Sequence, residues 1–101
     1  MDGNRILEFS LRSLSEIDLI SEYIEIKWSI KSKDKFLEKL KKNIVLIKSN
    51  PNLFPASSYE NLHKCVVSKQ TTIFYVFDDK KIYIVSVFDT RQNPKKIKQI
   101  Y

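Results

Sequence analysis

Apolar and polar positions alternate over residues 5–10 (RILEFS), which predicts a first strand with Ile6 and Phe9 turned inward. Ser13 is followed three residues later by Glu16, and Ser15 by Asp18, so each serine is a capping-box start for a helix. That helix is expected from about Glu16 to Ser29. On a helical wheel Ile17, Ile20, Ile24 and Trp28 form one apolar stripe, and Leu19, Tyr23, Ile26 and Ile30 form a second, roughly opposite. Two stripes imply cover on two sides, one by the rest of the domain and the other by the same domain or by a partner chain. A polar stretch, Lys31 to Asp34, then separates a second helix, about Lys33 to Ser49. Its Phe36, Leu37, Leu40, Ile44 and Ile47 share one face, while Lys35, Lys39, Lys41, Lys42 and Lys48 sit mostly away from it. Asn50-Pro51 ends it, because proline disfavours helical geometry in the residue before it. Two helices joined by so short a link form an antiparallel hairpin.

Beyond a loop from Pro51 to Leu62 the period changes. His63 to Ser68 (HKCVVS) predicts a short strand. Thr71 to Asp78 (TTIFYVFD) and Lys81 to Phe88 (KIYIVSVF) predict two strong ones around an Asp78-Asp79-Lys80 turn. Both strong strands are apolar on both faces, which marks the middle of a sheet. The order strand, helix, helix, strand, strand, strand (βααβββ) predicts an α+β fold. A helical hairpin packs on one face of a sheet whose last three strands form an antiparallel meander, leaving the other, apolar face in need of a cover or a ligand.

Composition narrows the chemistry. With 101 residues, 43% of them hydrophobic, a single domain over 1–101 with its own core is expected. Cys65 is the single cysteine and His63 the single histidine, so a disulfide framework and a structural zinc site are excluded, and no metal or cofactor is expected. Gly3 is the single glycine, which excludes a glycine-rich phosphate loop. No apolar run approaches the ~18 residues of a membrane span, and MDGNRILEF lacks a signal-peptide core, so a cytoplasmic protein is expected. Lysine and arginine number 18 against 12 acids, a net charge of +6 that favours a polyanionic partner. Arginine, the better phosphate fork, occurs only at Arg5, Arg12 and Arg91.

With these elements, the chain resembles the RelE/ParE superfamily of toxins from type II toxin–antitoxin, plasmid-stabilisation-like systems. The resemblance lies in SEIDLISEYIEIKW, in F-x3-L-x3-I-x2-I-x3-P from Phe36 to Pro51, in IFYVFDDKKIYIVSVF, and in the ending DTRQNP, which points to the ParE-like branch. The Gly-Arg often seen after the post-helix proline is missing; Phe54-Pro55-Ala56-Ser57 stands in its place. The resemblance implies one of two activities. RelE-like toxins cleave messenger RNA on the ribosome without a metal, and ParE-like toxins bind and poison DNA gyrase. Both are neutralised by an antitoxin whose extended segment wraps the toxin.

Cleavage needs a base for the ribose 2′-OH, a cation for the phosphorane and an acid for the leaving oxygen. The resemblance makes Arg91 the arginine after the last strand, for phosphate or acidic contact; alternatively it pairs with Asp89 or loop carbonyls. Thr72 stands where RelE-like enzymes carry a strand arginine. Lys64 and Lys69 are the remaining cations, His63 is an acid–base candidate or a half-exposed strand residue, and Ile97 replaces the expected tyrosine, with Tyr101 as a substitute. So depleted a set favours a binding toxin without catalysis over a ribosome-dependent endoribonuclease. A non-toxic degenerate member is the third reading. Target contacts are expected at Arg91, Lys95, Lys96 and Lys98, and contacts with an acidic antitoxin at Leu19, Tyr23, Ile26, Lys64 and Lys69. Relatives of this branch imply a homodimer or a toxin–antitoxin heterotetramer.

Overall fold

The protein, seen in a computed structural model, is described for residues 4–57 and 62–91. Strand β1 (Ile6–Phe9) leads into helices α1 (Leu11–Lys27) and α2 (Ile30–Ser49). A 3-10 turn at Pro51–Leu53 follows, then strands β2 (His63–Val66), β3 (Thr71–Phe77) and β4 (Lys81–Asp89). The sheet order is β1-β4-β3-β2. The last three strands are the expected antiparallel meander, and β1 lies parallel to β4, making the sheet mixed. The two strands that are apolar on both faces, β3 and β4, occupy its centre.

The helix starts differ from the sequence expectation. The N-cap of α1 is Ser10, whose hydroxyl accepts from the Ser13 amide and donates to the Val85 carbonyl at 2.7 Å. Ser13 instead lies buried in the first turn and donates back to the Ser10 carbonyl. Ser10 wins because β4 holds it: its own amide donates to the Ile84 carbonyl at 2.9 Å, so the strand ladder runs straight into the cap. Likewise Ser29 caps α2, and the link between the helices is only Trp28 and Ser29. The polar stretch 31–34 is therefore helical, and Lys33 reaches across the hairpin to Glu25 at 2.6 Å.

Three inward assignments also change. Ile6 is 63% exposed, and Leu7 and Phe9 pack on the core. Side chains alternate along a strand, so residues three apart cannot share a face; Leu7 and Phe9 stand opposite Ile82 and Ile84, both buried. Trp28 is 56% exposed because the chain leaves helical geometry there (φ −122°, ψ −77°), and the helical period no longer places its side chain. Leu37, at the margin of its stripe, also stays exposed.

Ile20 and Ile24 of α1, and Phe36, Leu40 and Ile47 of α2, meet Cys65, Ile73, Tyr75, Ile82, Ile84 and Val87 of the sheet. The Tyr75 hydroxyl crosses this core to donate to the Pro51 carbonyl at 2.6 Å. Asp78 closes the β3–β4 turn by accepting from the amides of Lys80 and Lys81, which holds its carboxyl below the usual range.

β4 carries a bulge beside Phe74/Tyr75: Phe74 pairs Ser86 while Tyr75 pairs Ile84. There β1 has already ended, and α1 supplies the missing partners. Glu16 Oε1 accepts from the Val87 amide and the Ser86 hydroxyl, both at 2.9 Å. Leaving such buried donors unpaired costs about 1–3 kcal/mol each, so Glu16, offered by the sequence as a capping residue, fastens helix to sheet. The bulge turns Val87 and Asp89 to the helix side. The opposite face carries exposed Ile6, Val66 and Tyr83 and half-buried Phe74, Val76 and Phe88 beside Lys64 and Lys81.

Candidate functional site

Arg91 follows β4 and is anchored by Asp89. Arg91 Nη2 donates to Asp89 Oδ2 at 2.8 Å, and Arg91 Nε and its backbone amide donate to Oδ1 at 3.1 and 2.9 Å. Asp89 Oδ2 also accepts from the Thr71 hydroxyl at 2.6 Å. The carboxylate is fully enclosed while the guanidinium side chain is 28% exposed. Of the two roles open to Arg91, pairing with Asp89 is thus realised, and the fork is held rigidly with one edge still facing solvent. Arg91 also lines a cavity of about 270 Å³ between α2 and the β2–β3 turn, together with Lys35 and Lys39.

The other candidates lie elsewhere. Cys65 and Ile73 point to the helices, so their neighbours Lys64 and Phe74 point to the open face, opposite Arg91. Lys69 is exposed in the β2–β3 turn and does not line the cavity. His63 pairs with Tyr75, four strand residues from Thr71 and so roughly 13 Å along the sheet from the Arg91 end. Its Nδ1 lies 2.8 Å from the Phe54 carbonyl, which can only accept, so Nδ1 carries the proton. The ring stacks on Tyr75 and tilts against Phe77, with centroids at 5.3 and 4.9 Å, and Arg5 lies over the Phe77 ring, its Cζ 5.5 Å from the centroid. This is a packed structural position. The structure therefore does not bring Arg91, Lys64, Lys69 and His63 to one point. Lys95, Lys96, Lys98 and Tyr101 lie outside the described residues.

Among the described residues the second stripe of α1 is only partly covered. Leu19 is 41% and Ile26 76% exposed, and half-buried Tyr23 meets Trp28 edge-on at 5.9 Å. Trp28 and Ile30 extend the stripe round the hairpin tip. Lys64 lies on the far side of the sheet, so a partner touching both must pass round an edge.

The sequence placed Lys35 and Lys39 only on a polar helix face. Their four-residue spacing told that they share a direction, but the facing cavity wall comes from Ser68, Gln70 and Arg91, distant in sequence. Among the described residues no cluster of three or more metal-ligating side chains occurs, and no helix is long and apolar enough to cross a membrane.

Two buried acids set the response to alkali. Burial pushes the Cys65 thiol from 9.0 up to about 11. Burial, with a smaller contribution from the neighbouring Cys65, pushes the Tyr75 hydroxyl from 10.0 up to about 12. The folded chain keeps these protons after the unfolded chain has lost them. The associated stability is whole below pH 9 and drains away as pH climbs to 12. At ~1.4 kcal/mol per pKa unit the loss is on the order of 2–3 kcal/mol per group. Urea midpoints measured from pH 8 to 11 should fall, and Cys65→Val should remove the earlier part of the fall; a flat profile would refute the assignment.

Comparison with known proteins gives one family. The family model described as ParE toxin of type II toxin-antitoxin system, parDE, matches residues 7–94. Among curated proteins, none is similar enough in sequence to match. Among solved structures, the chromosomal ParDE toxin–antitoxin system from P. aeruginosa is similar at a TM-score of 0.75 and 10% identity. That match covers 86% of this chain and 97% of that one. The E. coli DinJ-YafQ toxin-antitoxin complex is similar at a TM-score of 0.60 and 17% identity, over 87% of this chain and 94% of that one. At such identities the structural likeness speaks for the fold alone.

Proposed function

The chain belongs to the ParE toxin family of type II toxin–antitoxin systems, and we propose that it acts in the cytoplasm by gripping a macromolecular target, DNA gyrase, rather than by cutting RNA. The gyrase target is carried by family membership. The preference for binding over cleavage rests on one observation: Arg91 is clamped by Asp89 on the helix side, whereas Lys64 is on the open sheet face and His63 is packed at the other end of the sheet. A phosphorane needs its cation and its acid–base groups within hydrogen-bond reach of one another's substrate atoms, whereas Lys64 is divided from Arg91 by the sheet and His63 lies at the far end of the same face.

A cognate antitoxin is the second partner, a role suggested by the similarity to the ParDE and DinJ-YafQ systems. An acidic, extended segment suits a surface with net charge +6, exposed Leu19 and Ile26 on α1, and exposed Val66 and Tyr83 on the open sheet face. Such a segment can pass round an edge of the sheet and reach both. By likeness to dimeric members of the branch, we propose a toxin homodimer or a toxin–antitoxin heterotetramer.

Purified chain should inhibit supercoiling by gyrase, with relief on adding stoichiometric antitoxin, and should leave messenger RNA intact in a translating extract. RNA cleavage in the extract with supercoiling untouched would overturn the reading. Normal growth of cells expressing the chain alone would point to a non-toxic member.

A further inference from the structure

Lys35 and Lys39 stand one turn apart on α2 and line the same cavity as Arg91. Within the described residues neither ammonium makes an ion pair or hydrogen bond, and Asp89 engages only Nε and Nη2 of Arg91, leaving Nη1 unengaged. Three positive charges thus meet one buried negative charge, a surplus of two. Ser32, in the first turn of α2, adds a hydroxyl near the positive end of that helix, and Ser68 and Gln70 supply polar groups at the opposite rim. The remaining wall is Phe36 and Val67, both over nine-tenths buried, with Thr71, whose hydroxyl is committed to Asp89. An apolar wall strengthens charge-assisted hydrogen bonds made against it.

We propose that this cavity between α2, the β2–β3 turn and Arg91 binds a phosphomonoester. A phosphomonoester carries close to two negative charges at neutral pH, which matches the surplus; a carboxylate or a single phosphodiester carries one. Its oxygens accept from Nη1 of the fixed Arg91 guanidinium on one side and from two mobile ammonium groups on the other. The volume, about 270 Å³, corresponds to roughly nine waters at ~30 Å³ each, more than the anion needs, so the organic part of the ligand lies over Phe36 and Val67. The site does not depend on the identity of the toxin's target.

The test titrates the full chain, in phosphate-free buffer, with inorganic phosphate, adenosine 5′-monophosphate and adenosine, following the amide resonances of Gln70, Thr71 and Arg91. Phosphate and the monophosphate should shift them saturably, and adenosine should not. Lys35→Gln with Lys39→Gln should weaken binding at least tenfold. Lys41→Gln with Lys48→Gln removes the same charge from exposed positions that do not line the cavity, and should change binding less than twofold. Tighter binding of the monophosphate than of phosphate supports a ligand with an organic body, and equal binding supports the free anion. Equal loss in both double variants, shifts that never saturate, or adenosine binding as well as its monophosphate would each overturn the proposal. All four positions are on the surface of α2, so unchanged thermal midpoints confirm that the variants fold.

Discussion

Asp89→Ala should lower the unfolding free energy by about 3 kcal/mol and the thermal midpoint by roughly 10–20 °C. The carboxylate is wholly enclosed and satisfies four donors: the Thr71 hydroxyl, the Arg91 amide, and Nε and Nη2 of Arg91. Removing one side of a buried ion pair costs ~3–5 kcal/mol, because the other charge is left without a partner. Here Arg91 is 28% exposed and regains some water, which sets the effect at the low end. Thr71, at 1% exposure, has no such recourse. Asp89→Asn keeps the shape and an acceptor and should cost about half as much. Arg91→Lys keeps the charge but loses the fork, and should fall between the two. Circular dichroism melts of the three variants check this; a loss under 1 kcal/mol for Asp89→Ala would mean that the cluster does not hold β4 to the β2–β3 turn.

The second large effect concerns association. Tyr23→Ser combined with Ile26→Ser should weaken the complex with the antitoxin by 100-fold or more. Burying an exposed Ile or Tyr against a partner is worth ~1.5–3 kcal/mol each, and tenfold in affinity corresponds to ~1.4 kcal/mol. Aromatic residues beside a second ring are frequent centres of interface energy, and Tyr23 already leans edge-on against Trp28. Ile26 is 76% exposed in the free chain, so its loss hardly touches folding; Tyr23 is half-buried and its loss costs about 1 kcal/mol. Calorimetric titration of antitoxin into the folded double variant separates the two effects. Affinity within twofold of the parent would place the antitoxin elsewhere, on the open sheet face beside Lys64 and Tyr83.

Local patterns carried most of the architecture. The change from helical to strand period located both helices and all four strands, and the doubly apolar texts around Ile73 and Ile84 put β3 and β4 in the middle of the sheet. The errors fell where a distant segment casts the deciding vote. Ser13 and Ser15 both have the chemistry of a cap, but the carbonyl of Val85 chooses Ser10. Ile6 and Leu7 are equally apolar, but the parallel register with β4 buries Leu7. Trp28 fits a helical stripe until the backbone turns away beneath it.

The candidate site divides in the same way. Residue types and spacing determined a basic domain of βααβββ order, a first helix with two apolar stripes, and Arg91 two residues from an acid that could hold it. Those are properties of neighbours along the chain, where a fixed helical or strand period converts sequence distance into direction. Only the tertiary structure decided that the β4 bulge turns Asp89 inward and Arg91 toward α2, that Lys64 faces the other way, and that Lys35 and Lys39 look across a cavity at Arg91. A one-residue bulge reverses which side every later side chain takes, and such a shift is set by packing between segments that share no local pattern.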